Sequence, residues 1–171
     1  MNSIVENTKN KKQFVFPTFD AVDCFLPQKV FCNSWFYIGR VNVEGHDLVF
    51  LFHLMGGTVK FGGLANTVVS ILDRKENFYE SKDSVDTAFQ PFKVENDMLK
   101  FSTKFASLDG NMKTNMRLKA DLPNSSLDVV VHPVGNVIYN GGSGCFALPS
   151  NPNNWQYSCP QMTMDGSITI N

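Results

Sequence analysis

From Trp35 onward the side chains alternate: Trp35, Tyr37, Gly39, Val41 and Val43 fall on one face of an extended chain, and Phe36, Ile38, Arg40 and Asn42 fall on the other. Period two predicts a strand. The stretch VEGHD then reverses over Gly45 and LVFLFHLM returns as a second strand, so Ser34 to Met55 reads as a β-hairpin with two largely apolar faces. Such a hairpin is either core or the wall of an apolar pocket.

The same reasoning carries along the chain. Residues 1–13 are polar and predict a flexible N-terminal tail, followed by FVFPTFDAVDCFLPQKVFCN, an extended lead-in whose two prolines break any long helix or central strand. GGTVKFGG, with four glycines, is expected to be a mobile loop or a set of sharp bends. It lacks the Lys-Ser/Thr ending and the following helix of a phosphate loop, which sets nucleotide binding aside. LANTVVSILD predicts a strand, Asp73 to Asn77 a charged turn, and MLKFSTKFASLDGNMKTNMRLKADL a hairpin around Asp109-Gly110. SLDVVVHP is a strand closed by Pro133, YNGGSGCFALPSNPNNW a long irregular loop of the kind that rims binding sites, and QYSCPQMTMDGSITIN a last hairpin around Asp165-Gly166. About eight to ten short strands with no convincing helix describe an all-β meander closing into a barrel or a sandwich. An eight-stranded barrel has just enough interior for one small ligand.

Composition narrows the partners. The 171 residues are 43% hydrophobic and 18% charged with a formal net charge of −1, so residues 14–171 suffice for a single domain and no nucleic-acid partner is expected. Fifteen Phe, two Trp and four Tyr favour strands and apolar cavities over helical bundles. No apolar run approaches the roughly 18 residues that span a bilayer, so no membrane span is expected. The opening MNSIVENTKNKKQF has no apolar centre of a secretory signal, which points to a cytoplasmic protein. Cys24, Cys32, Cys145 and Cys159 show neither C-x-x-C spacing nor a partnering His cluster. Free buried thiols are expected, with a long-range disulfide as the open alternative. No His/Cys/Asp/Glu group has zinc spacing and no Ser sits in a nucleophile elbow, so neither a metal site nor acyl-enzyme chemistry is expected.

The order of the segments resembles the N-terminal half of the AttH-like family, which includes carotenoid 1,2-hydratases, kievitone-hydratase-like proteins and, more distantly, lipocalin-like fungal Diels-Alderases. The family's Glu-Trp-Trp-Tyr strand with its nearby Gly is matched by Ser34, Trp35, Phe36, Tyr37 and Gly39, followed by HDLVFLFHLM. VSILDRKENFYE, SLDVVVHPVGNVIYNGGSGCF and WQYSCPQMTMDGSITIN then fit in order. Ser34 replaces the family's acid and Phe36 its second Trp, so no role of that carboxylate carries over. The resemblance implies a lipocalin-like, calycin-type antiparallel barrel, either alone or as the N-terminal half of a two-domain protein.

It also implies a cofactor-independent pocket enzyme of specialised metabolism: a cyclase, isomerase or hydratase, including Diels-Alderase-like chemistry, acting on an apolar terpenoid or polyketide. The alternative is a non-catalytic carrier of a lipid, terpenoid or pigment. A cavity enzyme must hold a flexible apolar chain in a reactive shape, and hydration or isomerisation adds a proton donor, for which His or Tyr suffices. The candidate catalytic residues are His53, Tyr37 and Tyr157, the two tyrosines standing at family-like positions. Substrate contacts are expected from Trp35, Phe50, Phe52, Asn66, Tyr139 and Trp155. A lone His in an apolar strand is also an ordinary hydrogen-bonded structural residue, and a buried Tyr needs a partner for its hydroxyl in any case. His132 is expected at a barrel rim and His46 solvated in a turn. No cofactor is expected; the expected partners are an apolar small molecule and either a second lipocalin-like domain or a homodimer.

Overall fold

The computed structural model describes residues 4–7, 10–13, 27, 32–59, 62–88, 92–141, 144–148 and 151–171, and among these it is all-β and antiparallel. Within the segment expected to be a tail, β1 (Ile4–Asn7) and β2 (Asn10–Gln13) pair as a short hairpin. β3 (Cys32–Val43) and β4 (His46–Val59) form the predicted aromatic hairpin. Their two-residue turn, Glu44-Gly45, has φ of 51° and 81°, the primed geometry that follows strand twist. β5 (Gly62–Asp73) and β6 (Phe78–Ala88) complete a four-stranded sheet in the order β3-β4-β5-β6.

β7 (Phe92–Glu95), β8 (Met98–Ser102), β9 (Ala106–Asn111), β10 (Asn115–Asp121) and β11 (Ser125–Pro133) follow as a meander. β12 (Ile138–Tyr139), β13 (Cys145–Leu148), β14 (Asn151–Trp155) and β15 (Tyr157–Ser158) form two short ribbons, β12-β15 and β13-β14. β16 (Met162–Ile170) then returns beside β11, giving a six-stranded sheet in the order β16-β11-β10-β9-β8-β7.

The two sheets share one core because alternation puts apolar side chains on both inner faces. Trp35 and Tyr37 are each 7% exposed while Phe36 between them is 54% exposed, which fixes the inward face of β3. Phe50, Phe52, Leu54, Val69 and Ile71 continue that face across the sheet. Leu99, Phe101, Leu108, Leu118 and Val129 answer from the other sheet. Trp35 meets Phe92 and Phe101 edge-on, with ring centroids 5.6 Å apart in each pair. Each fully buried large side chain contributes about 2 kcal/mol, against under about 1 kcal/mol for an exposed ion pair, so this interior sets the stability.

Among the described residues no backbone ladder joins the sheets, and their two seams differ. Along β6 the inward positions after Phe78 are polar, and several of them clamp the turns of the facing sheet. Glu80 accepts hydrogen bonds from the Asn124 backbone N–H at 3.0 Å and from the Ser125 hydroxyl. Asp86 pairs with Lys104 at 2.8 Å, and the Lys82 ammonium lies 4.5 Å over the Phe105 ring. Along β3 the tie to the other sheet is the weaker bond from the Tyr37 hydroxyl to the Met112 sulfur, and an open cleft separates the strand from β16.

Several expectations are corrected by the strands. Gly56 and Gly57 are buried strand residues and not loop: a β-carbon on Gly56 would stand 2.9 Å from the Phe92 ring, so the glycine makes room for the aromatic cluster. Neither Asp-Gly pair turns the chain. Gly110 (φ 141°) and Gly166 (φ 132°) lie within β9 and β16, where a β-carbon would run into the backbone of the neighbouring strand at Asn115 and Asp128. The reversal expected at Asp109-Gly110 occurs instead at residues 112–114. The long irregular loop contains the β13-β14 hairpin. Cys32 is exposed and Cys159 half-buried, both free; Cys24 and the side chain of Cys145 lie outside the described residues.

Candidate functional site

The cleft between β3 and β16 has a volume of about 220 Å³. Tyr37 and Phe50 form its floor, since both are buried inward residues of β3 and β4. Val131 of β11 and Met162 and Met164 of β16 supply one wall, with Cys159 and Pro160 from the strand approach. The outward side chains Phe36, Ile38 and Arg40 stand at the rim. Gly39 shapes the floor: a β-carbon there would overlap the Phe50 ring, so glycine lets that ring pack directly against β3.

The cleft has a mixed lining of aromatic, thioether and polar atoms, and Arg40 at the rim is the charged residue among those that line it. Burial first, and the neighbouring Cys159 second, push the Tyr37 hydroxyl up, so it stays protonated. Burial likewise raises the Cys159 thiol. The Tyr37 hydroxyl donates to the Met112 sulfur at 3.4 Å, a weak acceptor. At the rim, Arg40 is held bidentately by Asp47, at 2.7 and 2.9 Å, which leaves little free positive charge for an anionic ligand. What this arrangement can do is hold a small uncharged molecule against Phe50, Val131, Met162 and Met164, beside the protonated Tyr37.

The sequence-predicted site residues divide into four places. Tyr37 and Phe50 line the cleft. Trp35 and Phe52 are packed core, buried against aromatic and aliphatic neighbours. His53 is paired across the ladder with Phe36, which puts it on the outer face of the sheet, opposite to Tyr37. There it lies 2.8 Å from the Ser34 hydroxyl and edge-on to Phe36, centroids 5.2 Å apart, and burial lowers its pKa so that the imidazole is neutral at pH 7. Asn66 shares that outer face, in register with Met55 and Val85. Tyr139 and Tyr157 are direct cross-strand partners in the β12-β15 ribbon, and Trp155 is exposed beside it in β14. His53 and Tyr37 therefore do not converge on one pocket.

His46, expected to be solvated, instead bonds through Nδ1 to the buried Asp73 carboxylate at 2.6 Å. His132 lies on the outer face of β11, 3.3 Å from Asp165. Sequence reasoning missed Gly39, Cys159, Met162 and Met164 as a group. The available signal was the MTM alternation after Cys159, but nothing in it says that β16 lies across from β3.

No family model matches the sequence, and no curated protein matches it. The structure is similar to the crystal structure of a candidate AttH protein from Nitrosomonas europaea, with a TM-score of 0.65 and 13% sequence identity over 91% of this chain and 50% of that one. The chain thus spans half the length of that protein. At this identity the likeness speaks for architecture, and its conclusion is that the chain has the all-β, lipocalin-like fold of AttH.

Proposed function

We propose that this chain is a lipocalin-like binding domain that holds a small, uncharged apolar molecule in the cleft between β3 and β16. The observation that carries the reading is the lining itself: Phe50, Val131, Met162 and Met164 offer apolar and thioether surface, and Tyr37 offers one protonated hydroxyl. Apolar pockets with a few placed polar groups are the usual form of small-molecule sites. The Arg40–Asp47 pair favours a neutral ligand over a free acid, since an incoming carboxylate must break a bidentate ion pair. Titration with N-phenylnaphthylamine, a neutral fluorescent probe, and with the anionic anilinonaphthalene sulfonate tests this. Saturable binding of the neutral probe at one site, in preference to the anion, supports the reading; preference for the anion sinks it.

One observation favours catalysis as a second reading. The Tyr37 hydroxyl spends its donor on a thioether, and a ligand carbonyl is a better acceptor that can take it over. A donor of that kind polarises a carbonyl and so assists cyclisation or isomerisation of a bound polyene. Incubation with terpenoid and polyketide polyenes, comparing wild type with Tyr37→Phe, separates the two readings: a ligand retained unaltered by both proteins leaves the carrier.

A further inference from the structure

Sulfur is concentrated at one place in this fold. The chain has four cysteines and seven methionines, and Cys159, Met162 and Met164, close together in sequence, all line the cleft between β3 and β16. Strand alternation turns the two thioethers the same way: Met162 and Met164 are half-buried and packed against the core, with exposed Thr163 between them. Two residues of strand advance about 6.6 Å, and the flexible bonds of each methionine side chain let sulfurs so placed meet at one point. Cys159 enters the cleft just before Pro160, close enough to the Tyr37 hydroxyl to disfavour its ionisation.

We infer that Cys159, Met162 and Met164 form a site for a soft monovalent metal ion, Cu(I), in this cleft. The donor set selects the ion. No carboxylate and no imidazole lines the cleft, so hard and borderline cations such as calcium and zinc find no set of ligands there. Thiolate and thioether are the donors that Cu(I) prefers, and thioethers lie outside the spacing rules that describe zinc sites. The charge fits as well. One thiolate cancels one positive charge, so the occupied site is neutral, as a half-buried place requires when the rim cation Arg40 is already paired with Asp47. Binding exchanges the thiol proton for the metal: the S–H bond of Cys159 breaks, an S–Cu bond forms, the proton leaves to solvent and no oxidation state changes. The cleft is open, which gives the ion an entry path. The site shares the cleft with the neutral ligand proposed above but not its chemistry, so either can fail while the other binds.

The test is anaerobic competition between the reduced full chain and the Cu(I) chelator bicinchoninate, read as loss of the coloured chelate. The wild type is expected to take up a single equivalent of Cu(I). The double variant Met162→Leu/Met164→Leu, which keeps apolar side chains of similar size, is expected to weaken binding by about tenfold or more while its far-UV circular dichroism is unchanged. Cys159→Ser is expected to abolish binding at the same chelator concentration, and Cys32→Ser, at an exposed thiol outside the cleft, to leave it intact. A wild type that leaves the chelate untouched overturns the inference. Binding that survives both cleft variants assigns the copper to other cysteines and overturns it too. Binding lost in Cys159→Ser but indifferent to the two leucines is capture by a thiol alone, which removes the thioethers and with them the site.

Discussion

The hydroxyl of Tyr37 on β3 reaches the sulfur of Met112 in the turn between β9 and β10, 3.4 Å away, and so spans the interior from one sheet to the other. The bond is weak because a thioether is a poor acceptor, while the ring around it is almost fully buried. Tyr37→Phe is therefore expected to cost under about 1 kcal/mol of stability in urea unfolding, and Tyr37→Ala about 3–5 kcal/mol. If ligand bonding uses this hydroxyl, Tyr37→Phe also weakens neutral-probe binding by about tenfold, equivalent to about 1.4 kcal/mol. An unchanged affinity removes the hydroxyl from recognition.

Gly39 and Phe50 are coupled by contact, since the ring occupies the space a β-carbon would need. Gly39→Ala is expected to destabilise by about 1–3 kcal/mol through overpacking. Combining it with Phe50→Leu restores part of that loss relative to the sum of the single changes, because the smaller side chain vacates the site. Strict additivity in the double-mutant cycle contradicts this packing.

The Thr67 hydroxyl is fully buried on the inner face and has no hydrogen-bond partner among the described residues. Thr67→Val replaces it by a methyl of the same shape, so stability is expected to rise by about 1 kcal/mol. A loss of stability shows that the hydroxyl has a bonded partner, such as a buried water.

Hydrogen bonds from Arg117 and then Lys119 outweigh burial and hold the Asp128 carboxyl at about 2. This folded value lies below the roughly 3.9 of an unfolded Asp, so the stabilisation is present above about pH 4 and is lost as the pH falls towards 2. The pair is partly exposed and screened, which limits its contribution to about 0.5 kcal/mol. Between about pH 5 and 2, Asp128→Asn is thus expected to lose less stability than wild type, and the difference shrinks in high salt.

Much of the fold is legible in the sequence because alternation is local. Trp35, Phe36 and Tyr37 announce their faces by period two, and Glu44-Gly45 announces its turn. Asp109-Gly110 and Asp165-Gly166 carry the same turn signal yet lie inside strands, where glycine is needed because the next strand's backbone comes too close for a β-carbon. A dipeptide does not distinguish these two demands on glycine. The site is less legible. His53 looks like a partner of Tyr37 when the hairpin is read as two adjacent strands, but register places it opposite Phe36 and therefore on the outer face. The cleft depends on β3 and β16, far apart in sequence, and on the absence among the described residues of a ladder between them. Nothing within either strand encodes that separation.

Cys159 reports on the cleft most directly, because its half-buried thiol lines it while Cys32 is exposed elsewhere. The measurement is the rate of N-ethylmaleimide alkylation at each cysteine, followed by peptide mass spectrometry with and without saturating N-phenylnaphthylamine. Occupancy of the cleft predicts at least a tenfold slowing at Cys159 and no change at Cys32. Saturable probe binding that leaves the Cys159 rate unchanged contradicts the assignment of the ligand to this cleft.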